Sequence, residues 1–456
     1  MRLPLLPIAL YLALAVGPAL GQQSPSRTAK DDAIPELRDA ALIALRHARV
    51  IDGTGSPAME NQTVLIEGSR ITAVGNDADV KVPPQARVVD LAGRTILPGL
   101  VMLHEHLFWA FSGGTHVSHP LHFSYPLLYL SHGVTTLRTA GTDFPYMDKN
   151  VKQWIDAGEI AGPEIHLTGP YFSGEGDPFY GAMLLHTPEE ARRAARYWAA
   201  EGFTWFKAYQ WVRKDVLAAL IDEAHHLHLR VTAHLRSVSC LEAAEMGIDN
   251  IEHGCFRFTD DLEPDLNGPR TIALLQRLVE KKVALTATPT NGAKALPDAA
   301  SELFDPSARE RLAHAFAYRP SATTSSNPQN LRDTPYAHLL TNFVKAGGRL
   351  VLGSDAGSGS SVAGFADHEA LENLANMGLG PLVAIRIATL GDATFLGIQD
   401  RTGTVSVGKE ADLFIVRGNP SQRIEDVENV EMVINNGIAY DPKTLTAKVK
   451  GQVGWQ

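Results

Sequence analysis

Between residues 97 and 355, short apolar runs alternate with helical stretches, and this alternation constrains the fold more than any other feature. Apolar strand candidates end near His106 ("ILPGLVMLHEH"), Thr139 ("GVTTLRT"), Gly169 ("EIHLTG"), Lys207 ("FTWFKAY"), His234 ("LRVTAH"), His253 ("IDNIEH"), Pro289 ("VALTATP") and Asp355 ("RLVLGSD"). Short apolar runs between turn signals are the pattern of strands buried on both faces. "TPEEARRAARYWAAEG", "KDVLAALIDEAHHLH" and "SCLEAAEMG" read as helices between them. The first opens on a Thr-x-x-Glu cap from Thr187 to Glu190, with Pro188 at the first helical position. Eight strands interleaved with helices predict an α/β fold, a (β/α)8 TIM barrel over residues 97–399.

A different texture flanks this region. "ARVIDGTG", "TVLIEGSRITAVG" and "ARVVDLAGRTIL" show β-branched alternation broken by turn residues, and "GTVSVGKEADLFIV" and "VEMVINNGIAY" repeat it at the far end. Residues 41–96 plus 400–450 are therefore expected to form one small β-sandwich domain built from both termini. Ahead of it, residues 1–21 have Arg2, an apolar core and the small-residue ending Ala19-Leu20-Gly21 of a secretory signal peptide. Pro7 and Pro18 and the shortness of the core argue against a retained membrane anchor. Residues 22–40 read as a disordered leader, and "PSATTSSNPQN" as a mobile loop before the last strand. The expected location is periplasmic or secreted. Cys240 and Cys255 are the only cysteines, too few for a disulfide framework; a single bridge and two free thiols are both open. A net charge of −10 without a basic block argues against nucleic acid as a partner.

In (β/α)8 barrels the reactive groups project from the C-terminal ends of the strands. Here the first, fourth, fifth, sixth and eighth strand ends carry His104 with His106, Lys207, His234, His253 and Asp355. A single strand-end histidine is usually a structural one, but four imidazoles, a lysine and a carboxylate at one barrel mouth form a donor set. His104 and His106 are two apart, so they face one side while Glu105 faces away. Imidazole and carboxylate suit zinc or a similar divalent ion. Lys207 is the odd member, because an ammonium repels a dication. Either it sits back from the metal, or carbon dioxide converts it to a carbamate, an anionic oxygen ligand able to bridge two ions.

With these motifs in place, the chain resembles the amidohydrolase superfamily, in its imidazolonepropionase-like and prolidase-like branch of metal hydrolases. "RVIDGTG", "PGLVMLHEHL", "GVTTLRTAG", "FTWFKAY", "VTAHLRS", "MGIDNIEHG", "LGSDAG" and "GTVSVGKEADLFIV" carry the likeness in family order across nearly the whole chain. The resemblance implies that His104, His106 and Asp355 hold one metal, that His234 and His253 hold a second, and that carboxylated Lys207 bridges them. It implies a hydroxide between the metals that attacks a carbonyl, with Asp355 passing its proton to the leaving nitrogen. Met102 stands where members often have Asp two residues before the first histidine, a change behind the ligands.

The same branch contains mononuclear members that act on cyclic amides or imidazolones without the bridging lysine. Lys207 and its aromatic neighbours Trp205, Phe206 and Tyr209 favour the binuclear form. Deaminases of the superfamily commonly carry Glu three residues after the fifth-strand histidine, where this chain has Ser237. A non-catalytic barrel kept as a binding module would be expected to lose ligands, and this set is complete. His225, His226 and His228 read as helix residues that face solvent or fill a helix face, and His116, His119 and His122 as loop histidines beside the pocket in preference to a third metal site. Tyr209, Arg236 and Thr290 are candidate substrate contacts; Arg236 either forks a substrate carboxylate or pairs with an acid of the protein. The expected enzyme is an exported hydrolase of a carbon–nitrogen amide bond, in a dipeptide or N-acyl amino acid. It would use two zinc or similar ions, have no membrane partner after signal removal, and, by resemblance, be a homo-oligomer.

Overall fold

The structure, a computed structural model, describes residues 28–112, 116–177, 179, 181–256, 266–290, 301–306, 331–357 and 361–454. The signal expected over 1–21 and the loop expected at 320–330 lie outside the described residues.

Both ends of the chain build one eight-stranded sheet. Across it run Ile438–Tyr440, Val430–Asn435, Leu413–Arg417, Arg94–Pro98, Leu42–Val50, Met59–Glu67 and Arg70–Asn76, with Arg87–Asp90 also pairing along Leu42–Val50. The termini join where Leu413–Arg417 lies antiparallel to Arg94–Pro98, Leu413 opposite Pro98 and Arg417 opposite Arg94. Gly68, at φ +57°, opens the two-residue turn between Met59–Glu67 and Arg70–Asn76. Ile43, Leu45, Val64, Ile71, Ile96, Leu413, Ile415 and Ile434 form the sheet's own apolar cluster.

The disordered leader expected over 22–40 needs correction where it is described. Ala29 is buried and its N–H donates to the Gly158 carbonyl at 2.9 Å, Ala33 bridges to Tyr440, and Leu37 joins the sheet cluster. Ala29, Ala33 and Leu37 recur four residues apart, a sparse apolar face hidden by a polar average composition.

The middle of the chain forms two parallel sheets. One orders Glu164–His166, Val134–Thr139 and Leu100–Glu105; the other orders Met183–Leu184, Thr168–Ser173, Trp205–Ala208, Arg230–Ala233, Asn250–Ile251, Ala284–Ala287 and Arg349–Leu352. The sheets adjoin twice. Only Leu167 separates His166 from Thr168, and at the other end the Asp355 N–H donates to the His104 carbonyl at 2.9 Å. The third strand, expected to end near Gly169, runs on to Ser173. Gly169-Pro170 reads as a stop because proline lacks a ladder N–H, but a register shift between Thr168 and Tyr171 absorbs it. At Leu167 the pairing changes from Val134–Thr139 to Trp205–Ala208.

Helices Pro188–Ala200, Lys214–His226 and Cys240–Met246 stand where the sequence places them. Pro188–Ala200 buries Ala191, Ala194, Ala195 and Trp198, a single i, i+3, i+4, i+7 face. The Thr187 hydroxyl accepts from the Glu190 N–H at 3.2 Å, and the Glu190 carboxylate accepts from the His186 N–H at 2.7 Å. The segment read as a histidine loop is instead half of an antiparallel hairpin, Phe108–Ser112 with His116–Pro120. His225, His226 and His228 are exposed, as expected. No helix among the described residues is long and apolar enough to cross a membrane.

Candidate metal centre

The strand ends Glu105, Ala208, Ala233, Ile251 and Leu352 bring their candidate residues together. His104 and His106 rings are 5.5 Å apart, His104 and His253 4.6 Å, and His234 and His253 4.6 Å. Asp355 Oδ1 lies 3.1 Å from His106 Nε2 and 3.4 Å from His104 Nε2. Among the described residues, His104, His253 and Asp355 offer ligand atoms all within 4.8 Å of one another. His106 stands beside that group next to Asp355, and His234 beside it next to His253.

Three of the rings are aimed by their outer nitrogens. His104 Nδ1 is 2.7 Å from Glu252 Oε2, His106 Nδ1 is 3.2 Å from the Gly141 carbonyl, and His253 Nδ1 is 2.8 Å from Thr288 Oγ1. An ionised carboxylate and a carbonyl only accept, so His104 and His106 donate from Nδ1 and turn Nε2 towards the cluster. His253 at φ +61° and Asp355 at φ +55° both take the left-handed conformation, which non-glycine residues disfavour. Such strain persists where surrounding contacts over-determine the backbone, as functional sites do.

A buried polar layer lies behind these side chains. Glu252 Oε1 accepts from Arg138 Nη2 at 2.8 Å and from the Thr232 hydroxyl, and stands 3.8 Å from Lys207 Nζ. Arg138 is itself fully buried; its Nε donates to the Leu103 carbonyl at 2.8 Å and its guanidinium lies 4.6 Å from the Trp205 ring centre. Glu105 does face away from the two imidazoles, yet it is buried. Its Oε1 accepts from the Ser354 N–H at 2.8 Å, tying the first strand to the residue before Asp355. Thr290 Oγ1 donates to the Ser354 carbonyl at 3.0 Å from the other side. Gly353 is required here, because a Cβ on it would lie 2.3 Å from His104 Cβ and 2.6 Å from the His104 backbone nitrogen.

The protonation states suit a cation. Burial, reinforced by the charges of His234 and His104, holds His253 well below the usual histidine range. Burial and then the Lys207 charge lower His234 to about 3. Burial alone would raise the Asp355 carboxyl, but hydrogen bonding and charge from His104 and His106 outweigh it and hold it well below the usual range. Burial brings Lys207 down to about 8, against the pull of Glu252. At neutral pH His234 and His253 are therefore neutral and Asp355 is ionised, donors that fit a divalent ion without first shedding protons.

The three substrate-contact candidates take different places. The Tyr209 ring lies 5.3 Å from His234 and 5.0 Å from Tyr171, beside the imidazole cluster. Arg236 is exposed, its guanidinium 4.7 Å from the Trp211 ring and its Nη1 3.4 Å from Gln210 Oε1. Thr290 braces the Asp355 turn. Sequence reasoning missed Glu252, Arg138 and Thr288, none of which carries a spacing signal. His122 pairs with Asp148 at 2.7 Å, both buried, which gives it a structural partner away from the ligands.

Imidazoles and a carboxylate converging on parallel strand ends define a metal-binding α/β enzyme. Residues 95–440 match the Amidohydrolase family, and the chain belongs to it. Enamidase of Eubacterium barkeri is 23% identical over 377 residues, covering 79% of this chain and 82% of that enzyme. The crystal structure of a Xaa-Pro dipeptidase with bound methionine in its active site is 20% identical, with a TM-score of 0.68 over 88% of this chain and 100% of that one. The ochratoxinase of A. niger is also 20% identical, with a TM-score of 0.65 over 88% of this chain and 96% of that one. The two structural likenesses are likenesses of fold. The protein is a hydrolase acting on carbon–nitrogen bonds.

Proposed function

We propose that the chain is an exported amidohydrolase that cleaves the amide bond of a dipeptide or N-acyl amino acid with two bound divalent ions, zinc by donor chemistry. The two parallel sheets are read as one closed (β/α)8 barrel, joined at Leu167 and at the Asp355–His104 hydrogen bond, with the eight-stranded terminal sheet as a small β-sandwich domain. One observation carries the function: four imidazoles and Asp355 from separated strands meet in one ring cluster. His104, His106 and Asp355 would hold one ion, His234 and His253 the other, and Lys207 as a carbon dioxide-derived carbamate would bridge them. When bound, the ions supply Lewis-acid polarisation of the scissile carbonyl and acidify water.

The chain's own groups do the rest. Asp355 is held ionised at the cluster, so it can take the proton of an attacking water and return it to the leaving nitrogen. Glu252 and the Gly141 carbonyl keep His104 and His106 from rotating. Tyr171 and Tyr209, with Phe179 5.1 and 5.6 Å from them, form an aromatic wall beside the cluster that excludes water and lies against the substrate. The fold shared with a Xaa-Pro dipeptidase supports a dipeptide. Export rests on the signal-like first residues.

A second reading has its own support. Lys207 Nζ at 3.8 Å from Glu252 is an ion pair that leaves the lysine unmodified, and His104, His253 and Asp355 alone could hold a single ion. The substrate would then be a cyclic amide or imidazolone. Metal content per chain, native mass and turnover of both substrate classes decide between them. Two ions, a labile carbon dioxide adduct on Lys207 and dipeptide or N-acyl amino acid hydrolysis are expected. One ion, an unmodified lysine and turnover of cyclic amides would establish the second reading. An oxidised, folded chain that takes up no metal from zinc and bicarbonate would end both.

A further inference from the structure

The two candidate ligands of the second ion, His234 and His253, leave their strands into segments joined by a covalent bond. Cys240 is the first residue of the Cys240–Met246 helix, which is held at its start by a capping box between Ser239 and Glu242. Cys255 lies two residues beyond His253, in the turn Gly254–Phe256. The two cysteines form a disulfide, with 6.1 Å between their Cα atoms. Both are buried, 1% and 3% exposed, so the bond belongs to the interior packing.

The location matters because the backbone at His253 is strained. His253 and Gly254 take successive left-handed conformations at φ +61° and +60°. A histidine stays in that conformation only while its surroundings over-determine it. The side chain is anchored at Thr288 by one 2.8 Å hydrogen bond. The disulfide ties the following turn to a capped helix that itself starts six residues after His234. The bond therefore fixes the exit segments of both histidines relative to each other, while their rings stand 4.6 Å apart.

We propose that the Cys240–Cys255 disulfide is a positioning crosslink for the His234 and His253 half of the metal centre, so that tight metal retention there requires the oxidised chain. The inference rests on the proposed metal-binding role of these histidines. Forming the bond converts two thiols to one disulfide; the two protons and two electrons pass to a disulfide oxidant, which leaves as two thiols. In a reducing compartment the pair stays as thiols and the half-site is looser. In an oxidising one, metal loading is completed.

The test uses the full purified chain and zinc as the probe. Thiol counting and intact mass first establish the disulfide; free thiols in the wild type purified from an oxidising compartment overturn the proposal. Zinc affinity is then measured by chelator competition for the wild type, the Cys240→Ser/Cys255→Ser double variant and Leu278→Ala. Leu278 is a fully buried residue of the Pro269–Glu280 helix, and its truncation serves as a control for lost stability. The expected result is one zinc equivalent bound at least tenfold more weakly in the cysteine variant, with wild-type affinity in Leu278→Ala even where its melting temperature falls as far. A folded cysteine variant with wild-type affinity overturns the crosslink role, and so does an equal loss in Leu278→Ala. If the cysteine variant does not fold, wild type reduced by a phosphine and shown to carry two thiols replaces it, with the same two outcomes. An oxidised wild type that binds no zinc refutes the metal-binding role of the histidines first, and the crosslink proposal with it.

Discussion

The candidate ligands are legible because their chemistry is their own: an imidazole at a strand end is a candidate wherever it occurs. The groups that aim them are not. Glu252 reaches His104 from 148 residues away and Arg138 from 114, and no local pattern encodes either contact. Glu252→Gln tests what that layer contributes. The amide keeps the shape but removes the charge that holds the His104 Nδ1 proton and balances buried Arg138 and Lys207. Zinc affinity should fall about 10- to 100-fold, the usual effect of losing a ligand's outer partner. Leaving buried cations without their acid should also lower stability by about 3 kcal/mol or more. Zinc competition and urea unfolding would check the two effects separately. Unchanged affinity would mean that strand geometry alone orients His104.

At the scale of elements, local signals and tertiary pairing divide the work. The Pro188–Ala200 helix was readable to its first residue, because Thr187, Pro188 and Glu190 solve the problem of its unpaired N–H groups within one turn. Thr187→Ala should therefore cost about 1 kcal/mol in urea unfolding, with turnover and zinc content unchanged. A loss of activity would tie this helix to the site in a way its position does not suggest. The third strand was cut short because Gly169-Pro170 looks like a stop. Whether a proline ends a strand depends on which neighbour would have used its N–H, and that neighbour, Trp205–Ala208, lies more than thirty residues on. The His116–Pro120 strand likewise reads as a loop, because its histidines mask its alternation.

Over the whole molecule, buried titratable groups set how stability responds to pH. Burial lowers His132 to about 4, only partly opposed by its hydrogen bond to the Leu128 carbonyl. Its unfolded value is about 6.5, so between the two values the unfolded chain binds more protons and stability is lost as the pH falls from 6.5 towards 4. The full effect is on the order of 3 kcal/mol. Asp412 works in the opposite sense: burial raises it to about 6, so its share of stability is present in acid and is lost as the pH rises through 6. In His132→Gln the loss between pH 6.5 and 4 should shrink by about 3 kcal/mol, leaving the Asp412 trend exposed. Urea unfolding across that range would check it. An unaltered slope would show that His132 gains its proton without cost.

The sequence by itself determined the alternation of strands and helices, the start and face of individual helices, and every residue proposed to touch metal. Those properties rest on side-chain chemistry and on periods of two and 3.6 residues, which neighbours along the chain suffice to express. Tertiary structure alone decided the rest: which carboxylates aim the imidazoles, that Gly353 must be small where it meets His104, that Ala29, Ala33 and Leu37 find a surface to cover, and that Cys240 and Cys255 form a bond. Each of these is a contact between residues distant in the chain. A buried charge or a close backbone approach is favourable only when a specific partner is already in place, and the packed fold is what brings that partner there.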